Sequence, residues 1–155
     1  MLELILVLVL ISVVLALAAP SLRGFFASRQ TADAAMRVVA MTQWARSEAV
    51  ARGQRCRLNI DPQGRACWVT VQRRGVFVPA DGEAGRPFQL PEGACATLGS
   101  TSAEASLPCV QFYPGGRADV ATIEIRGREG EVFLVACESP TEPFHVITPG
   151  EASRP

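Results

Sequence analysis

The sequence predicts an α+β protein in which one long N-terminal helix packs on an antiparallel β-sheet. Three observations predict it. Sixteen consecutive uncharged residues, Leu4 to Ala19, open the chain. Helix formers then run without Gly or Pro from Ser28 to Arg52. After Gly53 the apolar period changes from that of a helix to the two-residue alternation of half-buried strands.

The chain has 155 residues, and setting the apolar start aside leaves enough for one modest core. Fifteen Arg, with no Lys, balance fifteen Asp plus Glu. A net charge of zero excludes a global field that would draw the protein to nucleic acid or to a membrane surface.

The first element is the segment Leu4 to Ala19, which must leave water. It is slightly shorter than the roughly 20 residues a membrane helix prefers, and Met1 and Leu2 extend it beyond Glu3. A cleaved secretory signal is the competing reading, because Ala16-Leu17-Ala18 has the form of a cleavage site. Such a signal needs a basic start, whereas the only charge ahead of the run is Glu3 and the first Arg is Arg23. A carboxylate at this edge is costly unless it finds a partner or sits at headgroup level.

The run Met1-Leu2-Glu3-Leu4-Ile5-Leu6-Val7, followed by Ser12, Ala16 and Pro20-Ser21, resembles the N-terminus of type IV pilins and pseudopilins. The 17-residue spacing from Glu3 to Pro20 fits that family if two residues precede Met1. The family's basic leader, its terminal Gly and the first aromatic residue are absent from the sequence. The expectation is a start at an internal Met or a trimmed chain, the leader supplying the cytoplasmic positive charge. The resemblance implies that Glu3 pairs with the N-terminal amine of a neighbouring subunit. It also implies a processed, methylated N-terminus and a single pass through the bacterial inner membrane, with the C-terminal domain in the periplasm.

The helix is expected to continue to about Arg52, bent near Pro20 and Gly24, with Gly53 as the residue that stops it. Asp33 with Arg37 and Glu48 with Arg52 are spaced to pair along it. Two apolar stripes lie on nearly opposite sides: Val38, Met41, Ala45 and Ala49 on one, Ala32, Met36, Val39 and Val50 on the other. One suits the protein's own sheet and the other suits neighbouring helices. The tract from Trp44 to Gln54, which contains Ala45-Arg46-Ser47-Glu48-Ala49, is similar to the end of the helix in the GspH and FimT pseudopilins. Arg46, Ser47 and Glu48 are read as a solvated face.

Beyond the helix, Cys56, Leu58 and Ile60 alternate with Arg57 and Asn59, and Cys67, Val69 and Val71 alternate with Trp68, Thr70 and Gln72. Asp61-Pro62-Gln63-Gly64 joins them as a hairpin turn. A four-residue turn would set Cys67 opposite Leu58, too far from Cys56 for an unstrained disulfide unless a bulge intervenes. Further strands are expected at 88–90, 94–98, 110–113, 122–126 and 132–136, with 144–147 as an edge strand. Residues 79–85 and 99–108 read as loops. Cys95 and Cys109 flank the second loop and are the expected disulfide pair among five cysteines. The segment from Val110 to Ala118, with its Phe112, Pro114 and Gly116-Arg117-Ala118, resembles a motif of the same GspH and FimT family.

The expected division is a membrane and filament-core helix over 1–26, its amphipathic continuation over 27–53, a periplasmic pseudopilin domain over 54–148 and a disordered tail over 149–155. No chemistry competes with this reading. His145 is the single His and lies in a Pro-rich segment, the carboxylates are scattered, and Gly115-Gly116 lacks the Lys and hydroxyl of a phosphate loop. The cysteines lack zinc spacing, and Asp81-Gly82-Glu83 offers too few oxygens for calcium. No enzymatic activity, cofactor or metal is expected.

The family resemblance implies a minor pseudopilin in type II secretion, with other pseudopilins as partners through the helix. A secreted protein or an outer-membrane channel is the expected partner of the β domain. The alternative is a FimT-like minor pilin in pilus assembly or DNA uptake. There Arg55, Arg57, Arg73, Arg74 and Trp68 would contact nucleic acid, although Arg55 and Arg57 share a strand face whereas Arg73 and Arg74 do not.

Overall fold

The computed structural model describes residues 2–99 and 107–147, with side chains for 3–14 and from 26 onward. The expected tail, 149–155, lies outside these residues. Helix α1 spans Leu2–Arg52 and continues through Pro20 and Gly24. It ends where the sequence predicts. Gly53 takes φ +65°, and the Gln54 amide donates to the Ala49 carbonyl at 3.2 Å, closing the last turn. Among the described residues no helix is long and apolar enough to cross a membrane, and the expected span, 1–26, lies partly outside the described side chains.

Among the described residues nine strands follow: β1 Cys56–Ile60, β2 Ala66–Arg73, β3 Val76–Pro79, β4 Phe88–Gln89, β5 Cys95–Leu98, β6 Cys109–Phe112, β7 Ala121–Arg126, β8 Val132–Cys137 and β9 His145–Ile147. They form two antiparallel sheets rather than the single sheet expected. One runs β3-β2-β1-β6 with β4 also on β2, and the other runs β5-β7-β8-β9. Alternation identifies strands but carries no information on which strands pair at long range. β3 was absent from the sequence expectation. It forms because Arg74 and Gly75 both take positive φ, +51° and +86°, the geometry of a tight hairpin, although Arg is not a residue that advertises it.

The first hairpin closes on a bond from the Asp61 amide to the Ala66 carbonyl, later than a four-residue turn would. Cys67 therefore opposes Ile60, not Leu58, while Cys56 opposes Val71. Gly64 in this loop meets the second sheet. Its carbonyl accepts from the Ala96 amide at 2.7 Å, and a Cβ placed on it would lie 2.4 Å from the Ala96 oxygen. Gly64 also sits at φ +70°, so this is a position that only Gly fills without strain.

α1 packs against strands of both sheets. Val38, Met41, Ala45 and Ala49 are buried with Leu58, Val69, Val110, Ile123 and Val135 in one core. The other expected stripe divides: Val39 is buried and Ala32 half-buried, whereas Met36 and Val50 are 61% and 53% exposed. A helix lodged between two sheets is covered over a wider arc than one lying on a single sheet, which brings Val39 inside. Phe112, fully buried, packs at a tilt on Phe144, 6.0 Å between ring centres. Burying each such side chain contributes about 2 kcal/mol.

Candidate functional site

Strand register decides which side chains share a face. Arg57 pairs with Thr70 and Gln111, and Asn59 pairs with Trp68 and Cys109. These residues point away from the core set Leu58, Val69 and Val110. On this outer face the Arg57 guanidinium lies 3.8 Å from the centre of the Phe77 ring, and its Nε donates to Gln111 Oε1 at 2.8 Å. Arg55 continues the face: its carbonyl accepts from the Gln72 amide, and its guanidinium stands 5.7 Å from the Tyr113 ring centre. Beneath them Asn59 and Thr70 are buried and joined, Nδ2 to Oγ1, at 3.0 Å.

The five residues expected to contact nucleic acid are not gathered. Arg55, Arg57 and Trp68 belong to this face. Arg73 falls on the opposite parity of β2 and is paired with Asp81, and Arg74 sits at the tip of the β2–β3 turn. Asp81 also faces Arg52 at 3.7 Å, so this acidic turn is occupied by arginines.

Between α1 and the 81–88 segment lies a cavity of about 410 Å³, lined by Arg37, Met41, Trp44 and Phe88 among others. Arg37 spans it, 3.3 Å from Glu83 and 5.9 Å from the Phe88 ring centre. That contact replaces the expected helical pair with Asp33, because Glu83 is brought across by the fold. The other expected pair, Glu48 with Arg52, forms at 2.6 Å.

Arg46 is not the solvated residue expected from its helical position. Its guanidinium donates to the carbonyls of Pro140, Thr141 and Glu142, and so holds the segment that leads into β9. Nothing in local periodicity reports a partner ninety residues away in this chain.

Glu3 lies in the exposed first turn of α1. All five cysteines are free. Cys95 and Cys109, the expected pair, are both free and stand on strands of different sheets, β5 and β6. Burial pushes the Cys56 thiol up to about 11 and Cys67 up to about 12, and raises Cys109 and Cys137 as well. Burial thus disfavours the thiolate, the nucleophilic form, at these four positions. Among the described residues no group of three or more His, Cys, Asp or Glu is placed to hold a metal ion. His145 is exposed on edge strand β9.

A long helix apolar at its start and keyed at its end into an antiparallel domain, with side chains arranged for contact rather than reaction, defines a pilin-like structural subunit. Solved structures share this fold. The minor pseudopilin EpsH from the type 2 secretion system of Vibrio cholerae superposes with TM-score 0.66 at 15% identity, covering 79% of this chain and 99% of that one. A second structure of EpsH gives 0.67 at 16% identity, covering 80% and 97%. The type IV minor pilin FimU of Pseudomonas aeruginosa gives 0.58 at 15%, covering 84% and 96%. No curated protein matches the sequence. Residues 34–138, about two thirds of the chain, match the family described as type II transport protein GspH, and the chain belongs to that family. It is a structural minor pseudopilin subunit rather than an enzyme.

Proposed function

We infer that the chain is anchored in the bacterial inner membrane by residues 1–26, bent near Pro20 and Gly24, with the domain over 54–148 in the periplasm. It joins other pseudopilins through α1, and Glu3 pairs with the N-terminal amine of a neighbouring subunit, itself processed and methylated. The observation that carries this reading is the state of the first helical turns: Leu4, Ile5, Leu6 and Leu8 are each more than 60% exposed, with no surface of their own protein to cover them. Apolar side chains in that state need lipid or neighbouring helices, and Glu3 among them needs a cation. The β domain is left free to meet a secreted protein or the outer-membrane channel.

The test is co-purification from native membranes. Glu3→Ala is expected to leave the β domain folded and to reduce incorporation with partner pseudopilins. Unchanged incorporation would remove the role given to Glu3. Intact mass and N-terminal sequencing of the same material check the processed, methylated start.

A further inference from the structure

We propose that the outer face of the β3-β2-β1-β6 sheet docks an extended, acidic segment of a partner protein, with Arg57 as the residue that reads its carboxylates. The proposal rests on the reading of the chain as a subunit that meets other proteins, and it names the chemistry of one of them.

The orientation of Arg57 comes first. Its ring contact with Phe77 and its Nε bond to Gln111 fix the guanidinium plane while using only one of its donors. The two terminal nitrogens make no hydrogen bond or ion pair among the described residues, although the side chain is half-buried. Arg37, Arg52, Arg73 and Arg126 are held by carboxylates, whereas Arg57 is held by an aromatic ring and a neutral amide. The fork that fits a carboxylate with two parallel bonds is thus preformed, with its terminal nitrogens unused by any described residue. A side chain already ordered loses little entropy when the carboxylate arrives.

The spacing comes second. Arg55 lies two residues earlier on the same face and is likewise seated on a ring, so the two arginines leave the backbone about 7 Å apart along one strand direction. Acidic residues at alternate positions of an extended chain have this repeat. Trp68 on the same face supplies a large, stiff contact surface of the kind that concentrates binding energy.

Phosphates would also accept the fork, but a nucleic-acid backbone needs a longer track of cations. Arg73 is on the other face and neutralised, and the chain has no net positive charge. The face therefore favours a carboxylate segment.

The experiment uses the full chain in detergent and a labelled synthetic peptide of alternating Glu and Thr, followed by fluorescence anisotropy. The Gln-Thr peptide and a single-stranded oligothymidylate of equal charge serve as comparisons. Binding of the Glu-Thr peptide alone is expected. Arg57→Ala and Arg57→Lys should each weaken it about tenfold, because Lys keeps the charge and loses the fork, and Arg74→Ala should leave Kd unchanged.

The lysine variant guards against misfolding, checked by an unchanged melting temperature. Failure of the Glu-Thr peptide to bind would overturn the proposal, as would full function of Arg57→Lys or equal loss with Arg74→Ala. Tighter binding of the oligothymidylate, lost in the Arg57 variants, would make the face a nucleic-acid site instead. Incorporation with partner pseudopilins should be normal in Arg57→Lys, so that failure here and failure of the helix reading are separate results.

Discussion

Arg46 of α1 donates to the backbone carbonyl of Glu142 at 2.5 Å, and the same guanidinium serves the carbonyls of Pro140 and Thr141. One side chain thus ties the helix to the segment before β9. Arg46→Ala should destabilise the domain by about 1 kcal/mol, a partly exposed charged donor contributing less than a buried one. Thermal unfolding measures the loss, and limited proteolysis should cut first between Glu138 and Phe144. Arg46→Lys should recover little, since an ammonium cannot span three carbonyls with one planar fork.

Thr31 and Glu131 make the corresponding tie at the other end of the packed helix, Oγ1 to Oε1 at 2.6 Å, with the Glu129 amide on Oε2. Thr31 is buried, so Thr31→Val keeps the shape and leaves the carboxylate short of a donor. The expected cost is about 1–2 kcal/mol by denaturant titration. Hydrogen exchange should quicken at the β7–β8 turn before it does so in the hairpin of β1 and β2.

Gly64 and Gly53 share a left-handed backbone and differ in surroundings. A Cβ on Gly53 meets open space, whereas one on Gly64 collides with the Ala96 backbone. Gly53→Ala should therefore cost about 1 kcal/mol, from conformation alone. Gly64→Ala should cost clearly more, because the two sheets must separate to admit the methyl. Equal denaturation midpoints for the two variants would contradict this contact.

The buried thiols give the fold an alkaline limit. Their ordinary value is 9.0, and burial holds Cys56 near 11 and Cys67 near 12. Below pH 9.0 folded and unfolded chains are both protonated there, so the contribution is complete. As pH rises toward 11 the unfolded chain ionises first, and stability falls. Urea titrations across this window should show the decline, and Cys67→Ala should make it shallower. In the native state Cys95, the half-exposed thiol, should be the first to be alkylated at neutral pH.

The parts of the fold that were legible in sequence are those governed by neighbours along the chain. The stop at Gly53, the pair of Glu48 with Arg52 and the alternation of β1 and β2 each follow from residues within one turn or one strand. The parts that were not legible depend on what the fold brings from afar. Arg37 leaves Asp33 for Glu83, Arg46 finds carbonyls near the C-terminus, and Cys95 and Cys109 stand on strands that enter different sheets. The outer face was half legible. Arg55, Arg57 and Trp68 were visible as alternating residues, but Phe77 and Gln111 lie on strands whose pairing no local pattern reveals.

The buried side of α1 carries alanine at positions 34, 35, 45 and 49, none more than 3% exposed. At these positions one-carbon side chains let the helix axis sit close to the strands and have no rotamers with which to absorb a rotation. Twisting α1 would drive its backbone into that of the sheets within a small angle. The seat is thus keyed like a splined shaft, and a torque on the helix beyond Phe26 would turn the whole β domain with it.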